Sequence, residues 1–417
     1  MENVSVQEEQ VVWDDIVTDN MFVICNTPMA VGITRRTLFG FRQVEKKANI
    51  KNEKLIERAI NNQGELVKEL KSVGFWKGNT SKQEMKFDAI VGNPPYQMMD
   101  GGAQASATPV YNLFVDTAKA LKSNYISMIM PARWYSGGKG LDEFRADMLG
   151  DKHISRLDDF MNPENVFPNT NIRGGLCYFL WDSSYNSHEN LTRVVTHGDS
   201  GVVGDKMRAL KLENIDTFIR NYEAISIIEK VKAKDFTPFK PIVSARKPFD
   251  FATDFIKDPR YASNPVGMSE PILCYGKGLC SGYVEREIIK KNESWISKWK
   301  VLTPYANNIG TELNDDNLNA YVSKPETICT ETYLVLGADM DLNEDQCNNL
   351  ISYLQTKFVR FLISLSKSGH HATAAVYQFV PLVDFNKAWT DEDLYETYKL
   401  DVFERQFIED MIKPMED

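Results

Sequence analysis

The sequence predicts an α/β fold, with a sheet rich in parallel pairs in the first half of the chain and a mixed α+β region after it. Three observations predict this. Short apolar runs such as Met21-Phe22-Val23-Ile24 and Phe87-Asp88-Ala89-Ile90-Val91 alternate with amphipathic helical stretches. The second run leads through Gly92 into Asn93-Pro94-Pro95-Tyr96, a turn at the carboxyl end of a strand, where open α/β sheets bind ligands. A polar stretch from Asp182 to Asp205, with Ser183-Ser184, Asn186-Ser187, Gly201 and Gly204, then separates the two halves.

The elements follow in order. After an acidic N-terminal stretch, Met21–Ile24 reads as a strand and Pro28 to Gly40 as a helix bearing Arg35 and Arg36. Asn49 to Lys71 carries Leu55, Ile56, Ala59, Ile60, Leu66 and Leu70 at helical spacing, and Gly78-Asn79-Thr80 breaks that pattern. Pro109 to Leu121 returns as a helix with Leu113, Phe114, Ala118 and Leu121 inward. Asp216 to Lys232 reads as a connecting helix. Beyond it, short aromatic strands such as Thr332-Tyr333-Leu334-Val335-Leu336 mix with a helix from Cys347 to Ser366. The expected division is 1–185, a linker and connecting helix over 186–236, and 237–417.

Composition narrows the function. At 417 residues the chain accommodates two or three domains, and 43% hydrophobic with 25% charged residues is ordinary for a soluble protein. No run approaches the roughly eighteen apolar residues of a membrane span, and Met1-Glu2-Asn3-Val4 is unlike a signal peptide, so a cytoplasmic protein without membrane association is expected. Six cysteines without metal-type spacing imply free thiols and no metal, and His370-His371 has no third ligand nearby. A formal charge of −10 excludes a chain that coats nucleic acid along its surface. Local clusters remain: Lys230, Lys232, Lys234, Lys240, Arg246 and Lys247 lie among Phe236, Phe239 and Phe249, and Lys290, Lys291, Lys298 and Lys300 flank Trp295 and Trp299. Such interleaving suits a DNA-facing wall, with Lys240, Arg246 and Lys247 as candidates, and equally a solvated charged face.

The turn carries the sharpest chemistry. Two prolines fix φ and supply no N–H, so the turn is rigid and its carbonyls are free to accept. The Asn93 amide oxygen and the Pro94 carbonyl together offer acceptors for the two hydrogens of a planar NH2 group, while the Tyr96 ring offers a face for the plane that bears it. The stretch Lys86 to Gln97 resembles the catalytic motif of amino-methyltransferases that use S-adenosylmethionine, and within them the adenine-specific DNA methyltransferases of bacterial restriction–modification systems. Asn124 to Trp134, Val166-Phe167-Pro168, Gly174 to Trp181, and the tail from His370 to Asp391 extend the resemblance to the end of methylases fused to a target-recognition domain.

The resemblance implies a Rossmann-like methyltransferase sheet and then a target-recognition domain acting on double-stranded DNA. Asn93, Pro94, Pro95 and Tyr96 would hold and stack a flipped adenine at its N6 amine, and Phe167 is either a second stacking surface or an ordinary core residue. The pattern departs from the family in two places. No glycine-rich turn of the form F-x-G-x-G or D-P-x-x-G-x-G precedes Asn93, and Cys25 stands where an acidic residue normally accepts the ribose hydroxyls, so the cofactor-binding residues are not identified. The glycine turn belongs to the family's first strand, the centre of its sheet, and Val11-Val12-Trp13 is too short to replace it. The sheet is therefore expected to be incomplete, with a second polypeptide, or self-association, supplying the glycine-rich strand. A non-catalytic DNA-recognition or assembly subunit is the alternative, and protein glutamine methylation uses the same socket. No arrangement typical of a nuclease is present.

Overall fold

In the computed structural model the described residues are 6–42, 47–98, 108–170, 172, 174–186, 189, 191–310, 315–367 and 370–415. Two compact units divide the chain. The first comprises Met1–Phe160, Leu176–Val195 and Met207–Ala209, and the second Met161–Gly175, Thr196–Lys206 and Leu210–Asp417.

The first unit begins with helix α1 (Val6–Asp19), so Val11-Val12-Trp13 is helical. Strand β1 (Phe22–Cys25) follows, then α2 (Pro28–Phe39), which starts where the Thr27 hydroxyl accepts from the Ala30 N–H and Pro28 occupies the first turn. The stretch from Asn49 departs from expectation. Strand β2 (Asn49–Asn52) pairs in parallel with β1, Phe22 opposite Asn49 through Cys25 opposite Asn52, and helix α3 (Leu55–Leu70) begins only afterwards. The polar residues of Asn49-Ile50-Lys51-Asn52 conceal the strand from a hydrophobic pattern. Buried Asn49 is held instead by its own amide, whose Nδ2 donates to the Thr18 carbonyl at 2.9 Å. A short helix α4 (Val73–Lys77) closes on Gly78, whose φ of 67° is left-handed, and strand β3 (Ala89–Gly92) follows.

A two-residue ladder then joins β4 (Gln97–Met98) to β5 (Thr108–Pro109). Beyond it lie α5 (Tyr111–Leu121), β6 (Tyr125–Pro131), α6 (Asp142–Gly150), β7 (Ile154–Phe160), β8 (Leu176–Asp182), β9 (Leu191–Gly198) and β10 (Gly201–Ala209). The main sheet has the order β10-β9-β7-β8-β6-β3. Strands β3 and β6 are parallel, connected through α5, whereas β8 is antiparallel to both β6 and β7. The sheet is thus mixed rather than parallel-rich. Among the described residues between β7 and β8 only a single 3-10 turn, Pro163–Asn165, is helical, and neighbouring strands joined without a crossover helix run antiparallel. The expected linker also changes: its first part holds β9 and β10, whose polar residues, such as Thr192, Arg193, Thr196 and Lys206, conceal them in sequence.

Strand β3 ends the main sheet, and β1 with β2 forms a separate two-stranded sheet. Side chains rather than backbone bonds bridge the two. The rings of Phe22 and Trp76 lie 5.1 Å apart, those of Phe22 and Phe87 5.6 Å, and those of Trp76 and Phe87 6.1 Å, all edge to face. Buried Leu66, Leu70 and Leu121 complete this cluster, and the Trp76 indole donates to the Leu70 carbonyl at 2.8 Å.

Asp116 on α5 is raised to about 6, first by burial and against the pull of Lys119, with Asp147 adding to the rise. Its folded form therefore holds a proton more tightly than the unfolded chain, so its cost is absent below pH 4 and complete above pH 6. Asp116→Asn should stabilise the protein by roughly 1–2 kcal/mol at pH 7.5, after allowance for partial exposure. Thermal melts at pH 7.5 and pH 4 check it: the gain should vanish at the lower pH.

The second unit has the expected mixed α+β character. It contains α7 (Glu223–Ala233), β11 (Pro271–Tyr275), β12 (Ser281–Glu285), β13 (Lys300–Pro304), β14 (Tyr321–Ser323), β15 (Thr327–Cys329) and β16 (Tyr333–Leu336). Two three-stranded sheets result, β12-β11-β15 and β14-β13-β16. Helices α8 (Glu344–Gln355), α9 (Lys357–Ser364), α10 (Asp391–Thr397) and α11 (Val402–Met411) follow. The single helix expected from Cys347 to Ser366 breaks at Thr356, which is extended (ψ 147°) and caps α9 by accepting from the Val359 N–H.

Candidate functional site

The turn Asn93-Pro94-Pro95 leaves β3 into a cavity of about 600 Å³ in the first unit. Phe22, Val23 and Ile24 of β1 line it, as do Ala89 to Gly92 of β3. Most of the lining is apolar. Its polar members include Asn20, Asn26, Glu53 and Asn93.

Asn93 is exposed, and its amide has no hydrogen bond to another described residue, so both its oxygen and its nitrogen are available to a ligand. Pro94 is buried and fixes the turn from below. Tyr96 is half-buried, its carbonyl accepting from the Val110 N–H. Its hydroxyl is buried without a hydrogen-bond partner among the described residues. Burial raises its pKa, and the Cys177 thiol adds to the rise. Cys177 in turn accepts from the Trp134 indole at 3.3 Å. The hydroxyl end of Tyr96 is thus the buried end of this side chain.

Cys25 is buried and does not line the cavity; its sulfur lies 3.4 Å from the Thr34 hydroxyl on α2. The first residues past β1 and β2, Asn26 and Glu53, line it instead. The Glu53 N–H donates to the Cys25 carbonyl at 3.0 Å, and its carboxylate accepts from Arg58 at 3.0 Å. Sequence reasoning missed both. The available signal was a polar residue directly after each of two strands, but β2 was not legible as a strand. S-adenosylmethionine meets a partial fit. Asn26 and Glu53 suit the hydroxyls of a nucleoside, but Gly92 is the one glycine among the described lining residues, and they include no turn of successive N–H groups for an amino-acid carboxylate.

Phe167 lies in the second unit, half-buried, its N–H donating to the Pro163 carbonyl at 2.9 Å and its carbonyl accepting from Thr170. The structure therefore gives it no defined place beside Asn93.

In the second unit the basic clusters are largely engaged. Lys230 pairs with Glu404, while Lys232 and Lys234 donate to the carbonyls of Asn214 and Thr397. The Arg246 guanidinium is 3.1 Å from buried Glu331 and lies over the Tyr305 ring, and Lys247 is 3.9 Å from the same carboxylate. Lys300 cannot face DNA, since it is fully buried and donates to the Lys298 carbonyl. Lys240 remains exposed. Phe249, Lys290 and Lys291, from the two clusters, line one cleft of about 810 Å³ together with Lys257, Arg260 and three aspartates, Asp250, Asp254 and Asp258. Lys257 and Lys290 are exposed there without a side-chain partner among the described residues.

All six cysteines are free thiols. Among the described residues no group of three or more His, Cys, Asp or Glu side chains is placed to hold a metal, and no helix is long and apolar enough to cross a membrane.

Residues 19–167, which contain this cavity's β1, β3 and Asn93 turn, match the Eco57I restriction-modification methylase family. The resemblance read from Asn93-Pro94-Pro95-Tyr96 is thereby borne out for this stretch. A protein of Mycoplasma pneumoniae described as an uncharacterized adenine-specific methylase is 36% identical over 104 residues, 24% of this chain and 25% of that relative. The match spans about a quarter of the relative's length. The chain shares the fold of DrdV, solved by cryo-EM as a DNA complex, with a TM-score of 0.50 at 8% identity, covering 97% of this chain and 52% of that one. The type IIL restriction-modification enzyme MmeI, solved with DNA, aligns over 84% of this chain and 52% of its own, with a TM-score of 0.44 at 10% identity.

Proposed function

We propose that this chain is the amine-binding and DNA-recognising part of a methyltransferase that methylates adenine at N6 in double-stranded DNA at specific sites, within a restriction–modification or related defence system. The observation that carries this reading is the free Asn93 amide at the mouth of a cavity built on a strand end. A target adenine leaves the duplex stack, because its N6 cannot be reached inside it. The Asn93 Oδ1 and the Pro94 carbonyl accept from the N6 hydrogens and favour a pyramidal nitrogen with its lone pair exposed. The Tyr96 ring, anchored by its buried hydroxyl end, supports the base. S-adenosylmethionine would supply the methyl group, and a second polypeptide would supply what this cavity lacks for it.

The partial cofactor fit favours a second reading, a DNA-recognition or assembly subunit in which the Asn93 pocket persists without catalysis. Purifying the assembly from its native source and incubating it with DNA and isotopically labelled S-adenosylmethionine separates the two. Label at adenine N6, read by mass spectrometry of the nucleosides, is expected. DNA binding without label would leave the second reading in place.

The 237–417 region would recognise the DNA site. Charge reversal at Lys240, Arg246 and Lys247 together should weaken DNA binding and flatten its salt dependence by up to about one unit of slope for each phosphate that is no longer neutralised. Reversal at Lys257 and Lys290 tests the cleft without disturbing Glu331. An unchanged slope in both variants would make these basic residues a solvated face.

A further inference from the structure

We propose that Arg133 and Lys139 form a phosphate site that holds the sugar–phosphate backbone of the DNA strand carrying the displaced base. This rests on the methylase reading above and adds a second contact to its amine socket. Strands β3 and β6 are parallel neighbours, Gly92 opposite Met128, so the turns that follow them leave the same edge of the sheet. The first of these turns carries Asn93. Strand β6 runs on to Pro131, about 10 Å of extended chain past Met128, and leads into the 3-10 turn Ala132–Tyr135 and the loop Ser136-Gly137-Gly138-Lys139-Gly140. An adenine held at Asn93 stays tethered to its own sugar and phosphates, so a phosphate site that serves it belongs on this edge. Buried residues tie the two turns together. The Trp134 indole donates to the Cys177 thiol on β8 at 3.3 Å, and burial followed by that same thiol raises the pKa of both Tyr96 and Tyr111. The rings of Tyr111 and Trp134 each meet Phe144 edge to face, at 6.1 and 6.0 Å.

Arg133 and Lys139 are like charges held together without a counter-charge. The Arg133 side chain is half-buried, and its buried Nε has no hydrogen-bond partner among the described residues. Burial lowers the pKa of Lys139 and the Arg133 charge lowers it further, so the two cations feel each other. Asp142 cannot neutralise them, because it is already engaged by the Arg145 guanidinium at 2.9 Å and by the Gly138 N–H at 3.1 Å. Arg145 also donates to the Ser136 carbonyl at 2.7 Å, which fixes the loop from its other end. A Cβ at Gly137 would fall 1.8 Å from the Arg145 Nη1, so this grip on the loop requires glycine there. Four successive residues have positive φ: Gly137 at 73°, Gly138 at 78°, Lys139 at 51° and Gly140 at 81°. For lysine that conformation is strained, and such strain persists where the surroundings impose it. Here it presents a lysine beside an arginine in a chain of net charge −10. A phosphodiester relieves their repulsion, accepting from the guanidinium fork and the ammonium together, whereas a base or an uncharged sugar does not.

The test uses the full chain and a fluorescent single-stranded oligonucleotide of about twelve nucleotides, thymidines around one adenosine. Binding is read by anisotropy between about 50 and 200 mM salt. Arg133→Gln combined with Lys139→Gln should weaken binding about tenfold at the lower salt. It should also flatten the plot of log affinity against log salt by about 0.7 for each phosphate no longer neutralised. Arg133→Lys, which keeps the charge and loses the fork, should keep most of the slope and lose part of the affinity. An oligonucleotide of the same sequence with an uncharged methylphosphonate backbone should bind wild type and double variant alike. Lys139→Gly, free of the φ strain, should melt at or above the wild-type temperature while losing its share of the slope. Equal slopes for wild type and double variant, no detectable binding by the wild type, or a difference that persists on the uncharged backbone would overturn the proposal. A melting temperature lowered by about 4 °C or more in Lys139→Gly would also overturn it, making the lysine a structural part of the loop. Adenine methylation by the native assembly is measured separately. Methylation at the wild-type rate by an assembly carrying the double variant rejects the phosphate site and keeps the function, and a flattened slope without methylation by the wild-type assembly does the reverse.

Discussion

Asn93→Ala should lower methyl transfer by the active assembly at least about 10²-fold while leaving DNA affinity nearly unchanged, the signature of an interaction made in the transition state. Asn93 is exposed and has no partner to lose among the described residues, so the substitution should not disturb folding. That separates a catalytic deficit from a structural one. Tyr96 behaves differently. Tyr96→Ala removes a half-buried ring and should weaken capture of the flipped base, whereas Tyr96→Phe removes a buried hydroxyl that has no partner among the described residues and should be near wild type in turnover and melting temperature. Single-turnover kinetics with each variant, alongside a DNA-binding isotherm, check the set. Normal turnover by Asn93→Ala would remove the socket from the mechanism.

The parts of the fold legible in the sequence are those written in apolar periodicity or rigid turns. The strand before Asn93, the turn itself, α2 with its Thr27 cap and Pro28, and α5 all declare themselves locally. What stayed hidden is held by non-local partners. Strand β2 is polar and exists because it pairs with β1 and because Asn49 reaches the Thr18 carbonyl. Strands β9 and β10 hide in a stretch whose polarity reads as a linker. Glu53 reaches the site only once β2 is placed, so an error in one strand removed a site residue. The partners of charged residues were hidden for a related reason. Lys300 looks like surface charge until the fold buries it against the Lys298 carbonyl, and Arg246, which is exposed, looks unpaired until Glu331 is brought beside it.

Calorimetry of the purified chain with S-adenosylmethionine should give no saturable heat at concentrations where a complete enzyme is saturated. The cavity has groups for the nucleoside end alone, Asn26 and Glu53, and Glu53 is already engaged with Arg58. A ligand held at one end only loses affinity steeply, since halving a binding free energy of about 8 kcal/mol to about 4 moves Kd from micromolar to millimolar. The assembly that methylates DNA should bind the cofactor, and there Glu53→Gln should weaken binding about tenfold or more if its carboxylate accepts from the ribose hydroxyls, since the substitution removes that charge while keeping the side chain's shape. The same substitution in the isolated chain should change nothing measurable by calorimetry, because there is no binding to lose. Stoichiometric, tight binding by the isolated monomer would mean that residues 6–42 or 47–98 contribute donors the apolar lining does not disclose. It would also make the second polypeptide unnecessary for the cofactor.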